Sequence, residues 1–354
     1  MRLEYNSEKP LSGVPPKAGF WHHYRFSSSA MILLIAAVIA GLVLLTYGAD
    51  RFVAGAAALA CNLGVAPLII GLTILGFGTS APEILVAVVA ALDGSPAMAI
   101  GNALGSNITN MALVLGATVV ICPLTVHSGI LRREYPLMLA AMLLALGLMG
   151  DDYLGRVDAV IMLIAMTGMI LVLVRIALRQ RSRDPLLAEL EQELPGAMTT
   201  RRALLWLVVG LMLLLGGSHL LVWGAERIAL ALGVSQLVIG LTVVAIGTSL
   251  PELAASVVSA MRGEPDMAMG NIIGSNIFNS LAVLAMPGLI APGGFDASVL
   301  DRDFPVMLGL GILLYVLGMR ARGQGRIQRW QGGLLLLAFG AYEYLIYLQE
   351  VAAS

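Results

Sequence analysis

The sequence predicts an all-α, polytopic membrane protein with about ten transmembrane helices arranged as two inverted five-helix repeats. Three observations support this prediction: the apolar composition, the long apolar segments, and a repeat that relates the two halves of the chain. Of the 354 residues, 58% are hydrophobic and 12% are charged, and the mean hydropathy is +0.89. A soluble globular domain of ordinary composition does not reach these values, so we expect an integral membrane protein.

Ten apolar segments approach or exceed the length of about 20 residues with which a helix crosses the bilayer hydrocarbon. They lie at 31–60, 66–92, 96–122, 134–149, 157–178, 203–232, 235–261, 267–291, 304–319 and 330–349. Continuous apolar runs of this length indicate helices, because the strands of a membrane barrel alternate over only about ten residues. Cys61 and Cys122, the only cysteines, fall in or beside these segments, so neither a disulfide framework nor a thiolate metal site is indicated.

The chain divides into a polar N-terminal tail (1–30), a first repeat (31–180), a short cytoplasmic linker (181–202) and a second repeat (203–350). The tail contains adjacent histidines, His22 and His23, which face different directions on any regular element and so do not favour a metal site. Basic residues concentrate in the linker and before the last segment, which predicts both termini outside the cell. The four basic residues of the tail favour the opposite orientation.

The repeat is visible at an offset of 169 residues, the distance from Glu83 to Glu252. GLTILGFGTSAPE (71–83) matches GLTVVAIGTSLPE (240–252) at eight of 13 positions, and GNALGSNITN (101–110) matches GNIIGSNIFN (270–279) at seven of ten. The offset passes through five predicted helices, so corresponding positions run in opposite directions across the membrane. Inverted repeats with interrupted helices are typical of secondary transporters, whose ion sites lie near the midplane.

Glu83 and Glu252 are each the only charged residue of their predicted helix. A carboxylate at membrane depth costs at least a few kcal/mol, which indicates a functional group whose counter-charge is an exchangeable cation or a proton. The alternative is a pair of acids that are merely hydrogen-bonded across the bundle. Pro82 and Pro251 lack the N–H that would bond four residues back, so each helix is predicted to break just before its acid and to expose carbonyl oxygens.

Hydroxyl and amide groups accompany the acids at helical spacing. Thr79 precedes Glu83 by four residues, as Thr248 precedes Glu252, and the next segments repeat this spacing with serine and asparagine. The additional candidate ligands are Ser80, Ser249, Ser106, Asn110, Ser275 and Asn279. This oxygen-rich set without sulfur or histidine favours a hard cation such as Ca²⁺ or Na⁺. The GxxxG pairs at 101–105 and 270–274 indicate close helix packing beside the site.

GTSAPE and GTSLPE, each followed by a GSN motif, resemble the two α-repeats of the cation/Ca²⁺ exchanger superfamily, and the chain is similar to prokaryotic sodium/calcium antiporters from about residue 31 to 350. The first α-repeat motif covers 71–110 and the second 240–279. The resemblance implies a ten-helix inverted-repeat fold, alternating access, and Ca²⁺ extrusion driven by inward Na⁺ movement. It also implies a multi-pass protein of the prokaryotic plasma (inner) membrane.

The resemblance also implies a role for each matched position. Glu83 and Glu252 would be the principal ligands shared by Ca²⁺ and Na⁺, and Thr79 and Thr248 would supply backbone carbonyls. The remaining matched positions are Ser80, Ser249, Ser106 and Ser275 with side-chain oxygens, Gly76 and Ala245 with carbonyls for Na⁺, and Asn110 and Asn279 lining the centre. Proton-coupled relatives carry GNAVE-type motifs here, which favours sodium, and potassium-dependent relatives tend to carry an acid at the position of Asn279.

Three functions are consistent with these sequence features. A Na⁺/Ca²⁺ antiporter is the leading hypothesis, a proton-coupled Ca²⁺/cation antiporter keeps the fold and changes the driving ion, and a passive channel or ion sensor conducts or responds without exchange. We expect no enzymatic activity and no cofactor, since Ca²⁺ and Na⁺ are transported substrates. The lipid bilayer is the expected partner, with no nucleic acid and no evident protein partner.

Overall fold

The structure is a computed structural model that describes residues 28–65, 67–127, 134–181, 198–232, 245–319 and 324–353. Most of the predicted tail with His22 and His23, most of the predicted linker, and the beginning of the second motif at 240–244 lie outside the described residues. The described residues are mostly helical.

The helices carry labels in chain order. They are α1 (Ser28–Leu63), α2 (Pro67–Ile70), α3 (Gly76–Thr79), α4 (Ala81–Leu92), α5 (Pro96–Thr109), α6 (Leu115–Ile121), α7 (Glu134–Met149), α8 (Arg156–Arg181), α9 (Thr200–Ala231), α10 (Ala245–Thr248), α11 (Leu250–Met261), α12 (Pro265–Phe278), α13 (Ala285–Ile290), α14 (Phe304–Met319) and α15 (Arg329–Ala353). Four π-helical turns lie among the described residues, at Gly71–Leu75, Asn110–Val114, Asn279–Val283 and Val299–Asp303.

Within the described part of the chain, seven helical stretches are long and apolar enough to cross a membrane. They are Met31–Leu63, Leu68–Leu92, Pro96–Ile121, Arg156–Leu173, Thr200–Ala229, Pro265–Ile290 and Arg329–Gln349. The helices α7 and α11 are apolar but shorter. A multi-pass membrane protein is therefore confirmed in outline, while ten spans remain a prediction.

Helices α1 and α9 pack against each other along a seam of glycines. A Cβ at Gly48 would lie 2.5 Å from the backbone N of Leu214, and one at Gly217 would lie 2.5 Å from the backbone N of Leu45. Because the later residues of α1 meet the earlier residues of α9, the two helices run antiparallel. With 36 and 32 residues they are about 54 and 48 Å long at 1.5 Å per residue, so they exceed the thickness of the bilayer hydrocarbon.

The centre of the molecule is formed by α12 and α13. In the most apolar part of Pro265–Ile290, 89% of the residues are buried, against 22% in the corresponding parts of α1 and α9. The glycines of the second GxxxG pair permit this packing, since a Cβ at Gly270 would lie 2.5 Å from the carbonyl oxygen of Leu68. The predicted packing role is thus confirmed for the second pair. At Gly101 and Gly105, no described atom lies within 4 Å of such a Cβ.

The helix bounds themselves repeat at the offset of 169 residues. Helices α3, α4 and α5 correspond in this way to α10, α11 and α12, and the π-helical turn at Asn110–Val114 corresponds to that at Asn279–Val283. Gly94 and Gly263, which connect the corresponding pairs of helices, both have positive φ, at 77° and 80°. The sequence repeat is therefore also a repeat of local structure.

Two short β ladders, which the sequence did not predict, lie between helices. β1 (Leu124–His127) pairs antiparallel with β4 (Gln324–Ile327), and β2 (Tyr153–Leu154) pairs antiparallel with β3 (Gly293–Gly294). Each ladder joins a connection in the first predicted repeat to one in the second. The all-α class describes the fold apart from these two ladders.

Candidate ion-binding site

The two acids sit just after matching helix interruptions. Ser80 separates α3 from α4 with φ −82° and ψ 3°, and Ser249 separates α10 from α11 with φ −91° and ψ 5°. A ψ near zero departs from the helical value of about −42°, so the chain changes direction at each serine. The predicted break is confirmed, and the proline that follows each serine is accommodated in the first turn of the new helix, where no N–H is required.

Polar side chains converge in the protein interior around these breaks. Glu83 and Glu252 are both fully buried, at 0% exposure. The other buried candidates are Thr79, Ser80, Ser106, Asn110, Ser249, Ser275 and Asn279, and Thr248 is half-buried. Burial of so many polar groups is costly unless they bond one another or bind a ligand, so this buried polar cluster is the candidate site.

The contacts around Glu252 come from both motifs. The Ser80 hydroxyl donates to Glu252 Oε1 at 3.3 Å, and the hydroxyls of Thr79 and Ser275 lie beside the same carboxylate. Thr79 Oγ1 and Ser275 Oγ are 3.3 Å apart, and the Ser275 hydroxyl also donates to the carbonyl oxygen of Gly76 at 3.5 Å. Two hydroxyls of the first motif and one of the second therefore surround the second motif's acid.

The two asparagine turns approach the acids in a crosswise manner. Helix α4, which carries Glu83, packs against the turn that begins with Asn279, and α11, which carries Glu252, packs against the turn that begins with Asn110. Each helix that carries an acid therefore lies against the turn that carries the asparagine of the other motif. Ala245 occupies the first position of α10, as Gly76 does in α3.

Several buried polar atoms have no hydrogen-bond partner among the described residues. Those that belong to the candidate ligands are both carboxylate oxygens of Glu83, Oε2 of Glu252, the hydroxyl of Ser249, and both amide atoms of Asn110 and of Asn279. An unpaired buried polar atom costs about 1–3 kcal/mol, and more where it is charged. These atoms therefore require a partner, and oxygen atoms of this kind are ligands for a hard cation.

No ion pair among the described residues supplies positive charge to the two acids. The described ion pairs join Arg262 and Arg51 to Asp50 and Arg302 to Asp303, and none of them involves Glu83 or Glu252. The described residues also contain no group of three or more His, Cys, Asp and Glu side chains placed to hold a metal. The arrangement can therefore bind one or more cations through two carboxylates and neutral oxygens, which is unlike a zinc or copper centre.

An apolar cavity of about 490 Å³ lies beside the first break. It is lined by residues of α1, α8, α9 and α12 and of the 71–79 stretch, among them Phe77, Gly78 and Phe278. Thr73 is its one polar side chain among the described lining residues. Because this lining offers almost no cation ligands, the cavity does not extend the ion site.

The sequence did not single out two asparagines that support the acids from behind. Asn102 Nδ2 donates to the carbonyl oxygen of Glu83 at 3.2 Å, and Asn271 Nδ2 donates to that of Glu252, also at 3.2 Å. A signal was available, since both belong to the GN pair that opens the second part of each motif. Only the packing of α5 on α4 and of α12 on α11 shows what these amides contact.

Comparison with known proteins points to one family. A family model described as sodium/calcium exchanger protein matches residues 33–175 and 202–348. The protein CaxA of Alkalimonas amylolytica is 47% identical over 317 residues, which cover 90% of this chain and 99% of the relative. The inner membrane protein YrbG of Escherichia coli (strain K12) is 42% identical over 297 residues, which cover 83% of this chain and 91% of the relative. Among solved structures, that of the sodium-calcium exchanger NCX_Mj is similar with a TM-score of 0.75 and 33% identity, covering 91% of this chain and 99% of that one.

Proposed function

Because the chain belongs to the sodium/calcium exchanger family, we propose that it is a secondary antiporter that exchanges Na⁺ for Ca²⁺ by alternating access, with Ca²⁺ extrusion driven by the Na⁺ gradient. The family consists of transporters and not of enzymes. The relative named sodium-calcium exchanger has a similar fold over nearly its whole length, which supports the proposal that Na⁺ and Ca²⁺ are the transported ions.

The observation that carries the proposal is a pair of fully buried carboxylates that form no ion pair with any described residue. Glu83 has both carboxylate oxygens unpaired among the described residues, and Glu252 has one. Two carboxylates balance the charge of one Ca²⁺, and the same pair can hold Na⁺ ions instead. Competition for one set of ligands is the physical basis of exchange.

Each candidate ligand has a role in this proposal. Glu83 and Glu252 bind both ions, Ser80, Ser249, Ser106 and Ser275 supply hydroxyl oxygens, and Asn110 and Asn279 supply amide oxygens. The backbone carbonyls of Thr79, Thr248, Gly76 and Ala245 complete the set near the helix interruptions. The convergence of Gly76, Thr79, Ser80 and Ser275 around Glu252 supports this assignment.

The proposal includes the membrane topology. Ten spans in two inverted five-helix repeats bring the two motifs together from opposite directions, and the repeat of helix bounds supports this arrangement. The proposed location is the plasma (inner) membrane of a prokaryote with both termini outside, as the distribution of basic residues predicts.

A flux experiment in reconstituted vesicles tests the proposal. Vesicles loaded with Na⁺ and diluted into Na⁺-free medium should take up Ca²⁺, whereas a K⁺ gradient alone should not drive uptake. Uptake driven by a pH gradient without Na⁺ would instead establish the proton-coupled antiporter, since two buried carboxylates can also carry protons. Ca²⁺ flux that needs no counter-ion gradient would establish a passive channel and overturn the proposal.

Glu83→Gln and Glu252→Gln test the assignment of the acids in the same vesicles. Each removes a charge that is worth about 4 kcal/mol per unit charge of the ion at ~4 Å and an effective dielectric constant of ~20, so the loss of affinity should be at least roughly 1,000-fold. Asp93→Asn is the matched control, because this acid follows the last turn of the Glu83 helix and is exposed. Retained Na⁺-driven uptake in either glutamine variant would remove that acid from the site.

A further inference from the structure

The amide of Asn271 joins the two motifs at the ion site. The residue is fully buried on α12, and all of the bonds of its amide lead to residues around Glu252. Its Nδ2 donates to the carbonyl oxygen of Glu252 at 3.2 Å and to the hydroxyl of Ser256 at 2.9 Å. Its Oδ1 accepts from the hydroxyl of Thr79, which belongs to the first motif, at 3.2 Å.

We propose that Asn271 is a positioning residue that fixes Thr79 of the first motif against Glu252 of the second, so that hydroxyl and acid face the same ion. This inference rests on the proposed function. The Asn271 side chain is already engaged, since its Oδ1 accepts from Thr79 and its Nδ2 donates to Glu252 and Ser256. Its effect on the ion is therefore exerted through its two neighbours.

The orientation of the Thr79 hydroxyl explains how this support would matter. A hydroxyl has one hydrogen and two acceptor lone pairs. Two acceptors compete with the Glu252 carboxylate for the single hydrogen of Thr79, namely the carbonyl oxygen of Leu75 at 3.0 Å and Oδ1 of Asn271 at 3.2 Å. The lone pairs of Thr79 are then available on the side where a cation binds, which is the pre-organisation that a site needs.

The support is unequal in the two halves. At the offset of 169 residues, Asn271 corresponds to Asn102, but Ser256 corresponds to Ala87, which has no hydroxyl. Asn271 therefore has a partner for its second amide hydrogen that the first half does not provide at the matching position. Asn102 is also less buried than Asn271. Of the two, the asparagine whose two amide hydrogens both have a partner among the described residues is therefore Asn271, in the second motif.

Apparent ion affinities of Asn271→Ala test the inference. In the vesicle assay, the variant should raise the KM for Ca²⁺ and for Na⁺ at least tenfold, with a smaller change in maximal rate per folded protein. Ser256→Ala should change either KM less than threefold, because it leaves the bonds to Thr79 and Glu252 in place. In detergent, Ca²⁺ should raise the Tm of Asn271→Ala less than that of the wild type at equal concentration.

The outcomes separate the inference from the proposed function. Wild-type protein without Na⁺-driven Ca²⁺ uptake would overturn the function and with it this inference. Normal wild-type exchange together with wild-type KM values for Asn271→Ala would overturn only the inference, as would a lower yield of folded protein with unchanged KM values. Asn271→Ser serves where the alanine variant does not fold, because it stays polar but is too short to contact both Thr79 and the Glu252 carbonyl.

A double-mutant cycle identifies the path of the effect. Thr79→Val keeps the size of the side chain and removes its hydroxyl. If Asn271 acts through Thr79, the fold-increase in KM of the double variant Thr79→Val with Asn271→Ala should be well below the product of the fold-increases of the two single variants. Full additivity would show that the two residues act independently and would contradict the proposed link.

Discussion

At the scale of single residues, the site combines polar groups that are well bonded with polar groups that are not. Asn271 uses its whole amide, whereas both amide atoms of Asn110 and of Asn279 have no partner among the described residues. Buried unpaired amides reduce stability, which a protein tolerates where the same atoms bind a ligand. In the proposed site, the unpaired amide atoms of Asn110 and Asn279 are the expected contacts of the ion.

Asn279→Leu should stabilise the ion-free protein and weaken its response to Ca²⁺. The variant replaces an unpaired buried amide with an apolar group of similar size, so the ion-free protein should gain about 1 kcal/mol. Its Tm in ion-free detergent should rise, while the further increase caused by Ca²⁺ should become smaller than in the wild type. Thermal unfolding with and without Ca²⁺ measures both effects.

Ser259→Ala is the control for this comparison. Ser259 is also buried with an unpaired hydroxyl, but it lies two helical turns beyond Glu252. Its removal should leave the response to Ca²⁺ unchanged. A wild-type Ca²⁺ response in Asn279→Leu would show that the amide does not contact the ion.

Most of the candidate site was visible in the sequence, because its residues lie in two contiguous motifs with helical spacing. Glu83, Pro82 and Thr79 identify the break and its acid without knowledge of the fold. The bond from Thr79 to Asn271 was not predictable, since it depends on how α12 packs against α3. Contacts between segments of distant sequence position are set by packing, which a local pattern does not encode.

At the scale of elements, the helix interruptions are the features most closely connected with function. Pro82→Ala restores the N–H that is missing opposite the Gly78 carbonyl, so it should favour a continuous helix through Ser80. We expect unchanged or higher thermal stability and a Ca²⁺ uptake rate reduced roughly tenfold or more, because ligands displaced by about 1 Å lose much of their effect. Uptake rate and Tm, measured on the same preparation, test this prediction, and unchanged uptake would contradict it.

The glycine seam between α1 and α9 gives a second prediction. Gly217→Ala places a Cβ against the backbone N of Leu45 and the carbonyl oxygen of Gly41. Because backbone atoms inside packed helices cannot move away easily, the variant should destabilise the protein by about 1–3 kcal/mol. Gly216→Ala, its immediate neighbour, has no described atom within 4 Å of the new Cβ and should be neutral or stabilising by up to about 1 kcal/mol. Equal Tm values for the two variants would contradict the packing described for this seam.

Element boundaries were predicted well where the apolar segment has a clear start and end. Predicted segments 134–149 and 304–319 have the bounds of α7 and α14. The π-helical turns and the two β ladders were not predicted, because they depend on insertion of one residue into a helix and on pairing between distant connections. Neither feature produces a periodic pattern in the local sequence.

At the scale of the whole molecule, the two predicted repeats are joined by noncovalent contacts at the site and at both β ladders. A chain divided between Arg181 and Thr200 should therefore reassemble when the two parts are produced together. Co-purification through a tag on one part, followed by Ca²⁺-dependent stabilisation of the complex, measures this. Neither part alone should respond to Ca²⁺, because each acid lacks its partners from the other part, and a response of one isolated part would contradict the shared site.

The second copy has serines at two positions behind its acid where the first copy has alanines. Ser256 and Ser259 correspond to Ala87 and Ala90, so these two hydroxyls occur in the second copy only. In the proposed inverted arrangement, a protein with equal copies would present the same surroundings to an ion arriving from either side of the membrane. In this chain the two copies differ at these positions, so under that arrangement the two directions of approach would be chemically distinct for the ion.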